Sequence, residues 1–132
     1  MFLLDTNTCI RILNNSAETV VKRLREVPPS RVHLCSVVKA ELWYGARNSA
    51  RVEQNLALLD RFFQPLRSLP LDDACAEVAS TIRATLTRQG TPIGPNDLLI
   101  AAVARANDLT LVTHNTREFS RVPGLQWVDW EA

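Results

Sequence analysis

Three acidic residues in separate segments of the chain are its best candidates for chemistry. Asp5 follows the apolar run Phe2 to Leu4, Glu41 stands among apolar residues, and Asp97 opens another apolar segment. Carboxylates brought together from distant segments repel one another unless a cation compensates, and hard oxygen ligands select Mg²⁺ or Mn²⁺. An ion held in this way can orient a water molecule, lower its pKa and stabilise charge that develops on a phosphodiester.

Each of these acids also has a purely structural interpretation. Asp5 could serve simply as a helix cap, and Asp97 could simply complement a helix dipole. Both are common roles for carboxylates. Glu41 needs a partner or a metal ion, because an isolated charge in apolar surroundings is costly. The structural alternative for Glu41 is a salt bridge to Lys39 or to an arginine.

The elements that must position these acids alternate between strands and helices. The strands are short and apolar throughout, which is typical of a parallel sheet covered by helices on both faces. We predict strands over residues 2–4, 32–35, 66–71, 109–113 and 126–128, and helices over 7–14, 16–26 with Ser16 as cap, 36–46 with Ser36 as cap, 51–63, from Asp72 or Asp73 to Gln89, and from Gly94 through Ala106.

Parallel strands place the predicted acids at one edge of the sheet. Their carboxyl ends meet there, and ligands gather where the following loops and helix starts converge. Asp5, Glu41 and Asp97 should therefore approach one another. The strand over 109–113 brings Thr113, His114, Asn115 and Thr116 to the same edge, with Glu118 just beyond.

Composition indicates one domain, residues 1–132, in a reduced compartment. The chain is 46% hydrophobic and 22% charged with a net charge of +1, which excludes a disordered or strongly cationic protein. No apolar run approaches the roughly 20 residues of a membrane span. The three cysteines, Cys9, Cys35 and Cys75, have no C-x-x-C spacing. We therefore expect buried thiols in a cytoplasmic protein without membrane association.

Other catalytic classes find little support. The four glycines are scattered, so there is no phosphate-binding loop, and no serine elbow is present. His33 lies inside a predicted strand and is expected to be a core residue rather than a ligand. Asp5-Thr6-Asn7 after a strand is similar to the start of a phospho-aspartyl phosphatase, but the second aspartate of such enzymes is Asn7 here.

Four segments together resemble a known family. They are LLDTNTCI, SVVKAELWYGARNS, GTPIGPNDLLIAAVARAND and LVTHNTREFSRVPGLQWVDW. In this order and at these separations they resemble the PIN-domain ribonucleases, specifically the VapC toxins of type II toxin–antitoxin modules. The resemblance implies a three-layer α/β/α sandwich with a four- or five-stranded, mainly parallel sheet. It also implies an endoribonuclease that depends on Mg²⁺ or Mn²⁺.

The resemblance assigns roles to individual residues. The first three acids of the family fall on Asp5, Glu41 and Asp97, as catalytic residues and metal ligands. The fourth acidic position falls on Asn115, which brings an oxygen but no charge, so Glu118 would complete the metal site with it or in its place. Positions for holding substrate or water fall on Thr6, Asn7 and Thr116, whose structural alternative is local capping.

The resemblance also implies a substrate and partners. The substrate would be structured RNA, with tRNA and the anticodon loop of initiator tRNA as leading candidates. A VapB-like antitoxin would inhibit the nuclease and supply the DNA contacts. Homodimerisation would use the surplus apolar surface of Trp43, Tyr44, Leu58, Phe62 and Phe63.

Two alternatives from other classes stay open. One is a binding protein that keeps the fold and a partner groove but lost its metal site through Asn115. The other is a phosphatase that uses Asp5 as its nucleophile, which predicts a trapped phospho-aspartate.

Overall fold

Strands and helices alternate along the chain in the computed structural model, which describes residues 1–132. The strands are β1 (Phe2–Leu4), β2 (Val32–Cys35), β3 (Arg67–Leu69), β4 (Thr110–Val112) and β5 (Trp127–Val128). The helices are α1 (Thr6–Leu13), α2 (Glu18–Glu26), α3 (Ser36–Arg47), α4 (Val52–Phe63), α5 (Asp73–Arg88), α6 (Pro95–Ala106) and α7 (Thr116–Phe119). The short helix α7 was not predicted from the sequence.

The five strands form one parallel sheet in the order β3-β2-β1-β4-β5. Successive strands run outward from β1 through β2 to β3, and the chain then crosses back to β4 and β5. Right-handed crossovers in opposite directions place their helices on opposite faces of a sheet. In agreement, α1 packs against α2 and α3, while α5 packs against α6. This is the α/β/α sandwich that the sequence predicted.

The sheet and helix α6 form the centre of a core of 27 buried hydrophobic residues. Every residue of β2 is buried, as expected for a strand covered on both faces. Five consecutive residues of α6, Ile100 to Ala104, are fully buried, because three of them are alanines that let neighbours approach from every side. No helix of the structure has both the length and the apolar character needed to cross a membrane.

The helix starts show which predicted caps were right. Asp72 caps α5 by accepting a hydrogen bond from the Cys75 amide at 2.9 Å, as predicted. The predicted caps Ser16 and Ser36 are wrong: Ala17 precedes α2, and Ser36 is itself the first residue of α3. Tertiary packing of the apolar faces sets both starts without any side-chain cap.

The buried thiols and the strand histidine were predicted correctly. All three cysteines are free and buried. His33 is buried in β2, and its Nδ1 lies 3.2 Å from the Phe2 carbonyl oxygen. Neither feature is available for chemistry.

The predicted apolar surface is smaller than expected. Trp43, Tyr44 and Leu58 are exposed, but Phe63 lies in the core and Phe62 packs partly against it. Phe63 is buried because α3 and α4 pack against each other, which brings the Trp43 ring edge-on to it at 5.5 Å. A surface contact can therefore use only the first three residues fully.

Candidate active site

Asp5 lies where the strand order reverses, between β1 and β4. Its amide donates to the Val112 carbonyl at 3.1 Å, which ties the end of β1 to the end of β4. Its carboxylate accepts a hydrogen bond from the Thr8 amide at 2.8 Å and so caps α1. Only Oδ1 takes this bond, so capping leaves the second oxygen for another partner. The reversal point of a parallel sheet is where ligands bind in such folds.

Burial dominates the electrostatics of Asp5, whose exposed fraction is 3%. Loss of hydration raises the pKa of its carboxyl, and hydrogen bonds from Thr113 and Thr8 oppose the increase. The nearby charge of Glu41 raises the pKa further. Asp5 is therefore held close to a like charge in a poorly hydrated position, which is costly unless a cation is present.

Glu41 faces the same point from α3. The Thr6 hydroxyl donates to Glu41 Oε1 at 2.7 Å and orients the carboxylate. Glu41 forms no ion pair, so the predicted structural alternative is wrong. Lys39 lies elsewhere, with its ammonium 4.8 Å from the centre of the Phe63 ring. The charge of Glu41 is thus uncompensated within the chain.

Asp97, Asn115 and Glu118 form the other half of the site. Asp97 lies in the first turn of α6, and α7 presents Glu118. The Asn115 amide group donates to Glu118 Oε2 at 2.9 Å and to Asp97 Oδ2 at 3.4 Å. In this arrangement Asn115 bridges two carboxylates as a donor, whereas metal coordination would require its carbonyl oxygen to turn inward.

Crowding shifts the pKa values of Asp97 and Glu118 in opposite directions. Burial raises the pKa of Asp97 to about 7, with further increases from Glu118, Asp5 and Glu41. The hydrogen bond from Asn115 lowers the pKa of Glu118, and a hydrogen bond with Asp97 acts in the same direction. The crowding therefore favours a proton on Asp97 rather than on Glu118.

The donor set fits a hard divalent cation. Four carboxylates, from Asp5, Glu41, Asp97 and Glu118, affect one another's charge, and none of them forms an ion pair. Oxygen donors of this kind are those that Mg²⁺ and Mn²⁺ prefer, and a bound cation would relieve the repulsion that holds the proton on Asp97.

Comparison with known proteins identifies the family. The PIN domain pattern matches residues 2–125. The tRNA(fMet)-specific endonuclease VapC of Salmonella typhimurium is 43% identical over 129 residues, which cover 98% of this chain and 97% of the relative. This chain belongs to the VapC group of the PIN-domain family. Ribonuclease VapC2 of Rickettsia felis is 36% identical over 99% of this chain and 98% of its own length.

Solved PIN-domain structures match the fold over almost the whole chain. The crystal structure of DNA-bound VapBC from Salmonella typhimurium superposes with a TM-score of 0.92 at 43% identity, covering 98% of this chain and 97% of that one. VapBC2 from Rickettsia felis, bound to a promoter DNA fragment, also gives 0.92, at 35% identity and 98% coverage of both chains. PIN-domain nucleases generally depend on divalent metals, and membership of this family gives the phosphatase alternative no support.

The structure brings most of the predicted site residues of this PIN domain together. Thr6 contacts Glu41 directly. Asn7 is exposed and lines a cleft with Asn115. Thr116 begins α7, but its hydroxyl makes no side-chain hydrogen bond, so it is the least connected member of the predicted set.

Sequence reasoning missed one contact of the PIN-domain site. Thr113, buried at the end of β4, lowers the pKa of the Asp5 carboxyl, and its hydroxyl oxygen accepts a hydrogen bond from the backbone amide of Asn115 at 3.0 Å. It thus links the two halves of the acidic site. The sequence signal that could have revealed this contact is the position of Thr113 at the end of the strand that neighbours β1.

Proposed function

We propose that this chain is a divalent-metal-dependent endoribonuclease and the toxin of a type II toxin–antitoxin module. The observation that carries this proposal is the group of four carboxylates, none of which forms an ion pair, beside the reversal point of the sheet. Its relatives in Salmonella typhimurium and Rickettsia felis are named as an endonuclease and a ribonuclease.

Asp5 and Asp97 would hold the cation, Mg²⁺ or Mn²⁺, directly. Glu41 would bind it or orient the attacking water, and the Thr6 hydroxyl keeps Glu41 in place for either role. Asn115 or Glu118 would complete the donor set. When bound, the cation supplies charge stabilisation for the phosphodiester and a more acidic water. Cleavage would leave a 5′-phosphate and a 3′-hydroxyl.

We propose tRNA as the substrate, with the anticodon loop of initiator tRNA as the first candidate. The Salmonella typhimurium relative is named as specific for tRNA(fMet). Single-stranded loops suit such a site because their bases are exposed and their phosphates are accessible. Arg11 and Asn7 line the cleft beside Asn115 and are placed for phosphate contacts. Such a substrate would place the activity in the cytoplasm.

We further propose a VapB-like antitoxin as the inhibitor. A largely apolar groove between α1, α3 and α4 runs beside Glu41 and includes Ile10, Leu13 and Leu58. A segment of the antitoxin in this groove would cover the acids. The matching complexes from Salmonella typhimurium and Rickettsia felis contain DNA, and contact with DNA would belong to the antitoxin here too.

Two structural proposals accompany this function. Residues 1–132 would act as one domain, because the hydrophobic core is one cluster that extends from Leu3 to Trp130. Two copies would form a homodimer through exposed apolar residues that include Trp43 and Tyr44. Burial of such residues on association is favourable in proportion to their apolar area.

The test is cleavage of purified tRNA by antitoxin-free protein, followed by mapping of the fragment ends. Cleavage should require Mg²⁺ or Mn²⁺, stop with EDTA, and be abolished by Asp5→Asn and Asp97→Asn. Asp108→Asn is the matched control, since this residue is exposed and has a φ of 53°, a conformation that asparagine adopts readily. Absence of cleavage by folded protein would instead favour a binding module that lost catalysis through Asn115.

A further inference from the structure

A second group of metal-binding side chains lies outside the four carboxylates of the candidate active site. His114 Nδ1 is 2.9 Å from Asp129 Oδ2 and 3.7 Å from Glu131 Oε2. One ligand atom from each of the three residues lies within 4.8 Å of the others. We refer to His114, Asp129 and Glu131 as the His114 cluster.

We propose that the His114 cluster binds a divalent transition-metal ion, with Zn²⁺ as the representative ion. Zinc binds imidazole nitrogen and carboxylate oxygen at about 2.0–2.2 Å, so tetrahedral donor atoms lie about 3.3 Å apart. The distances of 2.9 and 3.7 Å from His114 Nδ1 fall on either side of that spacing. Three protein donors leave the remaining coordination position to solvent.

The two acids of the cluster are held in place before any ion arrives. Asp129 Oδ1 accepts a hydrogen bond from the Glu131 amide at 2.9 Å, which leaves Oδ2 facing His114. Trp130, between them, is buried and packs its ring edge-on against Phe2 at 5.3 Å. The donors therefore stand on an anchored segment, and little ordering entropy has to be lost on binding.

Strand pairing brings the histidine to these acids. β4 and β5 are adjacent and parallel, so the residues that follow them emerge side by side. His114 lies just beyond β4, and Asp129 directly follows β5. The imidazole therefore meets the acids because of the sheet, not because of local sequence.

Arg11 competes with a metal ion for this cluster. Its Nε lies 3.0 Å from Glu131 Oε2, the same oxygen that faces His114. An ion at this oxygen must displace the guanidinium, which lines the cleft shared with Asn7 and Asn115. Removing Arg11 should therefore strengthen metal binding by the His114 cluster.

Donor chemistry separates this site from the active site. The four carboxylates there offer oxygen alone and favour Mg²⁺ or Mn²⁺, whereas imidazole favours Zn²⁺ and its neighbours in the transition series. Zn²⁺ also binds carboxylates, but the His114 ring signals report on this cluster alone, so binding here can be followed separately and does not depend on the proposed nuclease activity.

The decisive experiment is a Zn²⁺ titration followed through the histidine ring nitrogens by NMR. The chain has two histidines, so buried His33 serves as an internal reference. We expect the His114 ring signals to change to those of a ring metallated at Nδ1 and protonated at Nε2, while the His33 signals stay unchanged. The same result is expected in Asp97→Asn protein, which separates this binding from the active site.

Variants then test the remaining ligands by calorimetry. Asp129→Asn should weaken Zn²⁺ binding at least tenfold, since even the outer partners of metal ligands cost about 10–100-fold when removed. Arg11→Ala should tighten binding, and Asp108→Asn should leave it unchanged. His114→Asn removes the imidazole ligand. The position is exposed, so this change does not disturb the core.

Two results would overturn the proposal. One is a His114 ring spectrum that does not respond to Zn²⁺. The other is a His114→Asn protein with the Zn²⁺ affinity and stoichiometry of the Asp108→Asn control.

Discussion

Replacing Thr6 with valine should slow RNA cleavage without unfolding the protein. Thr6 is the first residue of α1, and its hydroxyl is the only side-chain partner of Glu41, which lies 35 residues away. Valine keeps the branched shape of threonine at Cβ and removes only the hydrogen bond. Without that bond, Glu41 loses the group that orients it towards the other acids.

The expected magnitude follows from the character of this 2.7 Å hydrogen bond. A hydrogen bond to a charged acceptor contributes about 1.5–3 kcal/mol. Both side chains are only partly buried, so competition with water places the value at the lower end. A loss of about 1.4 kcal/mol of transition-state stabilisation corresponds to a cleavage rate that is roughly tenfold lower.

The assay is single-turnover cleavage of tRNA across a Mg²⁺ titration, with circular dichroism to verify folding. Thr19→Val is the matched control, because it removes an exposed threonine hydroxyl that makes no side-chain hydrogen bond in the first turn of another helix. Thr6→Ser should restore most of the rate, since it keeps the donor. The Mg²⁺ midpoint of Thr6→Val should also rise if Glu41 is a metal ligand.

A folded Thr6→Val protein that cleaves within about twofold of the wild-type rate would refute this reasoning, since that difference is below 0.5 kcal/mol. The same conclusion would follow if Thr19→Val were equally slow. In either case the hydrogen bond would have only a structural role.

Three further predictions concern the acids and the helix that carries one of them. Asn115→Asp adds a negative charge beside Asp97, so it should lower the thermal midpoint without Mg²⁺ and increase the stabilisation by Mg²⁺, as measured by melting curves. In cation-free protein the pKa of Asp97 is raised to about 7, so the folded state binds more protons than the unfolded state between about pH 4 and 7. Its contribution to stability is therefore lost as pH rises through that window, and urea unfolding should show a smaller decline in Asp97→Asn. Phe119→Ala should destabilise the protein by about 3–5 kcal/mol in urea unfolding, because this fully buried ring anchors α7 and hence Glu118; Phe119→Leu should cost much less.

Local interactions explain the parts of the structure that could be predicted. An apolar run ended by Asp5 predicted β1 and the start of α1, and the helix predicted from Gly94 begins one residue later, at Pro95, a residue well suited to the first helical position. Gly90 lies just after the end of α5 and has a φ of 70°, a conformation that glycine adopts at little cost. Such features depend on a few neighbouring residues, so their energies can be assessed without the rest of the chain.

The short helix α7 and the helix starts at Glu18 and Ser36 depended on packing. A helix of four residues is not stable by itself, so α7 exists because Phe119 is buried in the core. The same burial turns Glu118 towards Asn115 and Asp97. The sequence pattern placed Glu118 just beyond the same sheet edge, and only the resemblance to the toxin family gave it a role in the metal site.

By itself the sequence determined that Asp5, Glu41 and Asp97 follow strands or lie in helices whose ends meet at one edge of the sheet. Asp5, Glu41 and Asp97 were predictable because residue type and hydrophobic pattern are local properties. Only the tertiary structure decided that Thr6 orients Glu41, that Thr113 joins the two halves of the site, and that His114 meets Asp129. These contacts join residues that are distant along the chain, and their geometry follows from strand order and packing, which depend on the whole fold at once.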